Sequence, residues 1–488
     1  MNKFSFITIW LLYSLSSCTP SIETAENTDG YPNIFPDYTD IAIPVNIAPL
    51  NFGLQDEGDK MVVHFIHDKQ VALKCKGRRT ISIPLKAWRR MLRDVSGSDL
   101  QVQVYVRQSG KWRAFQPFPI HVVNDSIDPY IVYRLIEPGY ELWDQMGLFQ
   151  RCLSTFDESS IIVNRLTQMN CVNCHSFHDY NPAGMMFHAR GGNYAGTFLY
   201  ADGKMQRVNT KTKHAESAGT YPIWHPSGDY IAFSSNVTRQ TFHALPGKKI
   251  EVYDLESDLV VWDVKRNAML RDARFTTKDE WETFPAWSPD GKWLYYCFAE
   301  KKNMPFESRQ LRYGLCRVDF DVVTGRFGAQ IDTLFHPETS GFSISFPRLS
   351  PDGRYLLYTA SAYATFPIWH REANLEMIDL SDGSVVDIHS ANSDQADSYH
   401  AWSSNGRWIL FSSRRIDGLY TRLFIAHFDA EGRISKPFLL PQKNPNHNTR
   451  LLKSYNVPEF VKGKVELSPY DISRTLSEKT IDLNETIY

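Results

Sequence analysis

The alternation of polar and apolar residues predicts a chain built mainly from β-strands. Residues 101–106 read Gln-Val-Gln-Val-Tyr-Val, a period of two that is typical of a strand with one buried face. Ser109-Gly110 follows as a turn, and the apolar run at 112–123 then favours a hairpin. Residues 84–95 allow a helix. We therefore predict a small, β-sandwich-like N-terminal domain over residues 37–125.

The pattern changes at residue 126. Between 126 and 190, proline and glycine recur and break any regular period, while aromatic residues are frequent. We expect this segment to be a compact, loop-rich connector that packs through its aromatic rings.

From residue 221 onward the sequence repeats. Four similar units begin at Tyr221, Phe284, Phe346 and Tyr399. Each unit indicates a strand, a tight turn of the Pro-Asp-Gly type and a second, aromatic-rich strand, and two further strands follow it. One four-stranded antiparallel sheet cannot bury both of its faces alone, so repeated sheets of this kind predict the blades of a β-propeller.

These repeats resemble the TolB-like (PD40, WD40-like) β-propeller family over about residues 185–462. The resemblance implies a propeller over 191–465, followed by a C-terminal tail at 466–488. Residues 196–208 could supply outer strands of a further blade, which 455–460 would close from the C-terminal side. We expect five blades, or six if the connector contributes.

Composition narrows the function classes. The chain has 488 residues, of which 42% are hydrophobic and 22% charged, which is ordinary for a folded soluble protein and excludes wholesale disorder. The formal net charge is −2, whereas proteins held to nucleic acid by phosphate contacts usually carry a basic excess. We therefore expect no nucleic-acid partner.

The N-terminus indicates export. A short positive start precedes an apolar run at 4–15 that is too short to span a bilayer as a helix. The sequence Leu15-Ser16-Ser17-Cys18 that follows resembles the lipobox of bacterial lipoproteins. The resemblance implies a signal peptide at 1–17, lipid on the Cys18 sulfur and a tether over 18–36 that anchors the protein in the cell envelope, with the outer membrane favoured. A plain secretory signal with an incidental cysteine is the alternative, and both interpretations export the protein.

Residues 171–175 read Cys-Val-Asn-Cys-His, the attachment signature of c-type haem. Thiols three residues apart can reach the two vinyl groups of one porphyrin, and the adjacent imidazole can then ligate the iron. Cys171 and Cys174 are thus the expected thioether anchors of a single haem c, and His175 is the expected proximal ligand. Export agrees with this expectation, because bacterial c-type cytochromes mature outside the cytoplasm.

The second axial ligand stays open. Met185, Met186 and His188 follow the motif closely and could ligate iron from the opposite face of the ring. An open sixth position would instead give a ligand-binding or peroxidase-like centre.

Three other interpretations of the motif remain. A redox-active Cys171–Cys174 pair would resemble the thioredoxin type, but no βαβ pattern surrounds it. A structural zinc site would need further ligands, for which His178 and His188 are near in sequence. The motif could also be an ancestral remnant that now serves only in packing.

Two main functions follow from different features. The CxxCH motif and the export signal predict an envelope lipoprotein that transfers electrons to, or senses the redox state of, a partner docked on the propeller. The repeats alone predict a non-redox module that binds envelope proteins, peptides or glycans. An enzyme is a weaker third hypothesis, because no Gly-x-Ser-x-Gly elbow, P-loop or dinucleotide fingerprint is present. Its candidate residues are the funnel histidines His225, His243, His370 and His400.

Overall fold

The computed structural model describes residues 21–137, 145–192, 194–215, 217–245 and 248–488. Strands dominate these residues and the helices are few and short, which confirms the mainly-β class. The predicted signal peptide and the lipidation site at Cys18 lie outside the described residues. No helix within the described ranges is long and apolar enough to cross a membrane.

The N-terminal part forms a seven-stranded sheet and a separate two-stranded one. Its strands are β1 (Glu26–Asn27), β2 (Ile34–Phe35), β3 (Ile41–Pro44), β4 (Gly53–Leu54), β5 (Lys60–His67), β6 (Gln70–Gly77), β7 (Ser98–Gln108), β8 (Lys111–Ala114) and β9 (Phe118–Val123), and helix α1 spans Leu85–Asp94. Strands β2 and β4 pair with each other, and the other seven form the larger sheet. The alternating segment at 101–106 lies in β7, which pairs with β5, β8 and β9.

Helix α1 takes the place of the second sheet in the predicted sandwich. Its buried residues are Trp88, Met91 and Leu92, and the Trp88 ring lies 5.6 Å from that of Phe65 in β5. An apolar helix stripe of this kind covers a sheet face, so no second stacked sheet is needed. The sandwich-like expectation is corrected to a sheet covered by a helix.

Six sheets of four or five strands follow and form the six blades of a propeller. Blade 1 contains β10 (Tyr130–Ile136), β11 (Gly147–Cys152) and β12 (Glu158–Val163), and blade 2 contains β13 (Cys171–Phe177), β14 (Met185–Arg190), β15 (Gly196–Ala201) and β16 (Lys204–Asn209). Blade 3 contains β17 (Thr220–Trp224), β18 (Tyr230–Leu245), β19 (Lys248–Asp263) and β20 (Ala268–Arg271), and blade 4 contains β21 (Glu280–Trp287), β22 (Trp293–Glu300), β23 (Gly314–Asp321) and β24 (Arg326–Phe335). Blade 5 contains β25 (Ser343–Leu349), β26 (Tyr355–Ser361), β27 (Asn374–Asp379) and β28 (Val385–Val386), and blade 6 contains β29 (Asp397–Trp402), β30 (Trp408–Ser413), β31 (Arg422–His427) and β32 (Phe438–Leu439). The remaining elements are α2 (Pro337–Ser340), α3 (His447–Arg450), β33 (Ser454–Val461), α4 (Pro469–Thr475), β34 (Ile481–Asp482) and β35 (Asn484–Ile487).

The ring closes with strands from both ends of the propeller sequence. Strand β33 pairs antiparallel with β10 and becomes the innermost strand of blade 1. The innermost strands of the other blades are β13, β17, β21, β25 and β29. The six-bladed alternative is thus confirmed. The segment 126–190 is corrected from a loop-rich connector to strands of blades 1 and 2, and its Pro129, Pro182 and Gly184 lie in bends and turns between those strands.

The C-terminal residues extend two blades. Strand β34 pairs with β16 of blade 2, and β35 pairs with β20 of blade 3, both in parallel. The segment 466–488 therefore adds edge strands to the propeller.

The N-terminal sheet packs against the propeller. Trp408 and Leu410 of β30 share one hydrophobic core with Phe65 of β5. The Asp128 carboxylate accepts hydrogen bonds from the backbone N–H and the hydroxyl of Ser404 at 2.7 and 2.6 Å. These contacts join the N-terminal sheet, and the segment that follows it, to blade 6.

Candidate functional site

Each inner strand of the propeller carries the same break in its pairing. At this break, which is a β-bulge, two residues of the inner strand lie opposite one residue of the neighbouring strand. The first of these two residues has a left-handed backbone conformation, with φ between 48° and 54°. These six residues are Cys174, Tyr221, Phe284, Phe346, Tyr399 and Val457. A positive φ is uncommon outside glycine, so its recurrence identifies a shared repeat position. The second cysteine of the CxxCH motif is therefore part of the propeller repeat.

His175 occupies the next repeat position, which is proline in four blades and His400 in blade 6. The His400 Nε2 donates to the carbonyl oxygen of Leu357 in blade 5 at 3.1 Å. His175 faces blade 1 in the same way, with the carbonyl groups of Val132 and Val457 near its ring. In the described part of the chain, however, neither ring nitrogen of His175 has a hydrogen-bond partner.

Burial keeps the His175 imidazole neutral. Burial, and to a smaller extent the Arg134 charge, lower the pKa of His175 to about 3 against the opposing effect of the backbone groups of Val132 and Val457. A neutral imidazole with an unpartnered nitrogen is the form that can ligate a metal ion.

Aromatic side chains at the left-handed position meet across the channel. The ring centroids of Tyr221 and Phe284 are 4.5 Å apart, those of Phe284 and Phe346 are 4.2 Å apart, and those of Phe346 and Tyr399 are 5.1 Å apart. We call these four rings, from blades 3 to 6, the aromatic collar. The collar narrows the channel midway along the inner strands.

Blades 1 and 2 leave a gap in the aromatic collar, because they carry the smaller Val457 and Cys174 at this position. The channel has a cavity of about 990 Å³, and both Cys171 and Cys174 line it. Both side chains are half-buried free thiols. Burial raises the pKa of Cys171, and the charges of Arg134 and Arg190 oppose the rise.

The three candidates for a sixth ligand lie outside this cavity. Met185 packs in the core between blades 1 and 2, and Met186 packs in the core between blades 2 and 3. His188 Nδ1 forms a hydrogen bond with the Thr197 hydroxyl at 2.8 Å, and burial lowers the His188 pKa to about 3. The structure therefore brings the CxxCH residues together at the channel, but not these three.

Two other histidines considered from the sequence make structural contacts. His178 Nε2 donates to the carbonyl oxygen of Pro226 at 2.9 Å. His225 Nε2 donates to the carbonyl oxygen of Gly291 in the turn of the next blade at 2.9 Å. Across the described ranges, no three His, Cys, Asp or Glu side chains are grouped to hold a metal ion.

A long hairpin from blade 3 reaches over one mouth of the channel. Strands β18 and β19 each have 16 residues, and their outer halves extend beyond the blade. The hairpin meets a loop of blade 5, where Glu251 Oε1 lies 3.0 Å from His370 Nε2 and Glu372 Oε1 lies 3.3 Å from His370 Nδ1. We call the space between this hairpin and the aromatic collar the upper chamber.

Two charged residues face each other on the other side of the aromatic collar. Arg348 and Glu459 stand at the same repeat position, two residues after the left-handed residue, and both line the cavity. Burial raises the pKa of Glu459 to about 8, while the Arg348 charge and the Phe177 N–H, which donates to Glu459 at 3.2 Å, oppose the rise. Glu459 is thus largely protonated at neutral pH.

The sequence did not point to three arginines that line the cavity, Arg134, Arg190 and Arg414. Arg190 and Arg414 stand at matching positions near the ends of the second strands of blades 2 and 6. The sequence shows that Arg190 and Arg414 are equivalent only when residues 171–190 are recognised as part of the propeller repeat.

The chain is distantly similar to several solved structures, among them propellers. The periplasmic gluconolactonase of Pseudomonas aeruginosa shares 13% identity at a TM-score of 0.36, covering 64% of this chain and 96% of that one. Prolyl oligopeptidase B of Galerina marginata shares 12% identity at a TM-score of 0.33, covering 54% and 37%. A DUF4784 family protein of Bacteroides caccae shares 7% at a TM-score of 0.26, covering 74% and 96%. No protein-family model and no curated protein matches the sequence, and similarities at this level carry no argument about function.

Proposed function

We propose that this protein is an exported propeller that carries a single c-type haem in its channel and exchanges electrons with a partner docked at the channel mouth. The observation that carries the proposal is the position of the two thiols. Cys171 and Cys174 both open onto the cavity, and Cys174 lies at the gap in the aromatic collar. The cavity of about 990 Å³ is at the upper end of the range for small-molecule sites.

The residues at the site suit this cofactor. Each thiol would add its sulfur and hydrogen across one vinyl group, which forms two thioethers without an oxidant. His175 offers a neutral imidazole with two unpartnered nitrogens, and buried polar atoms rarely stay unsatisfied in a native protein. A bound haem supplies one-electron chemistry whose potential depends on its axial ligands and surroundings.

The other channel residues would set the conditions for electron exchange. The rings of the aromatic collar narrow the middle of the channel, and the β18–β19 hairpin covers one mouth. Burial and the charge of Arg134 lower the pKa of His175 to about 3, so its imidazole is neutral at neutral pH. The predicted lipid at Cys18 would hold the protein at a membrane of the cell envelope, within reach of a redox partner.

The test is to produce the exported chain together with a bacterial cytochrome c maturation system. We expect a c-type Soret band and haem that stays with the chain on a denaturing gel. Cys171→Ala with Cys174→Ala should abolish attachment, whereas Cys75→Ala, a buried thiol of the N-terminal sheet, should not. A colourless but folded wild-type protein would overturn the proposal.

A second candidate function is a non-redox propeller that binds an envelope protein, peptide or glycan. The equivalence of His175 and His400 favours it, because the imidazole of His400 joins neighbouring blades through a hydrogen bond. Under this candidate the double cysteine variant would retain wild-type affinity for a captured envelope partner. Under the haem proposal the same variant would lose electron exchange with that partner.

A further inference from the structure

Three arginines from adjacent blades converge on the upper chamber. Arg414, Arg134 and Arg190 come from the second strands, or their ends, in blades 6, 1 and 2. Arg190 pairs in register with Cys171, and Arg134 pairs with Asn456, one residue before the left-handed position. All three arginines line the channel cavity.

The three charges share one space. Arg134 and Arg190 both lower the pKa of the Cys171 thiol against the effect of burial. Burial raises the pKa of Tyr399 to about 12, and the charges of Arg134 and Arg414 both oppose that rise. Arg134 is therefore the centre of the group, with Cys171 on one side of it and Tyr399 on the other.

These arginines lack carboxylate partners among the described residues. Arg414 is 7% exposed, its guanidinium carbon lies 3.5 Å above the Trp369 ring, and its Nε has no hydrogen-bond partner. The Nε of Arg134 is likewise unpartnered. By contrast, Arg415, the next residue along the chain, pairs with Asp397 at 2.8 Å. Of the three, Arg414 is buried, Arg134 is half-buried and Arg190 is exposed, and the charge of Asp417 acts on Arg414. A buried charge without a hydrogen-bonded carboxylate is costly, so an anion beside Arg414 would relieve a destabilising arrangement.

The acidic residues of the channel do not neutralise the group. Asp179 pairs with Lys462 at 3.3 Å, and Glu459 lies beyond the aromatic collar with a pKa raised to about 8. Glu137 is the remaining carboxylate that the described residues place along the cavity wall. One carboxylate against three guanidinium groups leaves the chamber positive.

Part of the chamber wall is apolar and is formed by Ile250 and Val252 of the hairpin and by Phe366, Ile368 and Trp369 of blade 5. The hairpin residues Asn236, Thr238 and Gln240 add polar groups to the same wall. We propose that the upper chamber binds a molecule that combines a carboxylate with an apolar part, and that Arg134, Arg190 and Arg414 hold the carboxylate. The carboxylate belongs either to a free ligand or to a group attached at Cys171 and Cys174, such as a haem, which carries two propionates. The site itself does not depend on the haem proposal, because the arginines are in place with free thiols.

The first experiment uses the Cys171→Ala, Cys174→Ala protein, in which nothing can be attached. Binding of naphthalene-1-carboxylate is compared by calorimetry with binding of the neutral naphthalene-1-carboxamide, which has nearly the same shape. Charge-assisted hydrogen bonds predict that the acid binds about 10-fold or more tightly than the amide. Equal affinities, or no binding of either probe, would overturn the proposal without any arginine substitution.

Arginine variants locate the site. Arg134→Gln with Arg414→Gln should reduce the acid to the affinity of the amide and leave the amide unchanged. Arg93→Gln, at an exposed position of α1, should leave both affinities unchanged. A double variant that folds and still prefers the acid would overturn the assignment of the site.

The loaded wild-type protein distinguishes the two sources of the carboxylate. Preference for the acid in both loaded and cysteine-free protein identifies a free ligand. Preference confined to the cysteine-free protein shows that the attached group's own carboxylates fill the site. If the wild-type protein attaches no haem, the proposed function is wrong. The calorimetric comparison in the cysteine-free protein still tests whether the three arginines bind a carboxylate.

Discussion

His175 and His400 occupy the same position of the propeller repeat, one residue after the left-handed residue of their inner strands. His400 joins blade 6 to blade 5 through the carbonyl oxygen of Leu357 at 3.1 Å. Among the described residues, His175 has no hydrogen-bond partner for either ring nitrogen, although the backbone carbonyl groups of Val132 and Val457 lie near its ring. One imidazole is thus satisfied by the fold, and the other is available for a different partner.

This difference predicts unequal costs of substitution. In haem-free protein, His400→Leu leaves the buried Leu357 carbonyl unpaired and should lower the free energy of unfolding by about 1–3 kcal/mol. His175→Leu removes only the weaker contacts of the ring with the carbonyl groups of Val132 and Val457 and should cost less. Denaturant unfolding of both variants measures the two values, and an equal loss would show that His175 has the same structural role as His400.

The gap in the aromatic collar predicts a way to close the channel. The left-handed position accepts aromatic residues in blades 3 to 6, so Val457→Phe should fit the backbone and fill the space beside Cys174. We expect a folded protein that attaches no haem and no longer binds naphthalene-1-carboxylate. The control is Val323→Phe on an exposed turn of blade 4, which should change neither property. Undiminished attachment in Val457→Phe would show that the gap is not the binding space.

Glu459 predicts a pH dependence of stability. Its pKa is raised from 4.5 to about 8, mainly by burial, so the folded state holds a proton that the unfolded state releases. The contribution is complete below about pH 4.5 and declines as the pH rises through 8. Glu459→Gln cannot release this proton, so its unfolding free energy should fall less between pH 5 and 9 than that of the wild type. If the free energies of unfolding of the wild type and Glu459→Gln change equally with pH, the raised pKa of Glu459 is contradicted.

The contact between the hairpin and blade 5 should also respond to pH. Burial disfavours the charged form of His370, but hydrogen bonds to Glu251 and Glu372 outweigh it and raise the pKa above 6.5. The hydrogen bond to His370 lowers the pKa of Glu372 from 4.5 to about 2. The contact is therefore strongest between about pH 4.5 and 6.5, and it weakens as the pH rises through the raised pKa of His370.

Hydrogen exchange of the hairpin measures this effect. Amides of residues 248–256 should be better protected at pH 6 than at pH 9 after correction for intrinsic exchange rates. In His370→Gln the difference should disappear, while the inner parts of β18 and β19 keep their protection. Equal protection of the hairpin amides at pH 6 and pH 9, in both the wild type and His370→Gln, would contradict the role of His370.

The repeats from Tyr221 onward were predicted from the sequence because each joins an aromatic residue, a proline or histidine, and a polar turn. Blades 1 and 2 were harder to recognise. Cys174-His175-Ser176-Phe177 and Val457-Pro458-Glu459-Phe460 follow the same pattern but place a small residue where the others have a ring. The haem-type motif therefore hid a repeat, and residues 126–190 were predicted as a connector.

The arginine site of the upper chamber could not be predicted in this way. Arg134, Arg190 and Arg414 are far apart in sequence and meet only because three blades are adjacent in the closed ring. Their lack of carboxylate partners depends on side-chain positions in different blades. The same holds for the contact of Glu251 with His370, which joins a hairpin of blade 3 to a loop of blade 5.

The position of strand β33 in the sequence sets the order in which the walls of the channel form. Val457, which borders the gap beside Cys174, lies in the last inner strand that the ribosome makes. Until that strand pairs with β10, blade 1 lacks its inner edge and the two thiols of blade 2 face an open groove. A bulky group therefore reaches Cys171 and Cys174 from the open side of blade 1 before this pairing forms, and β33 borders the group once the ring has closed.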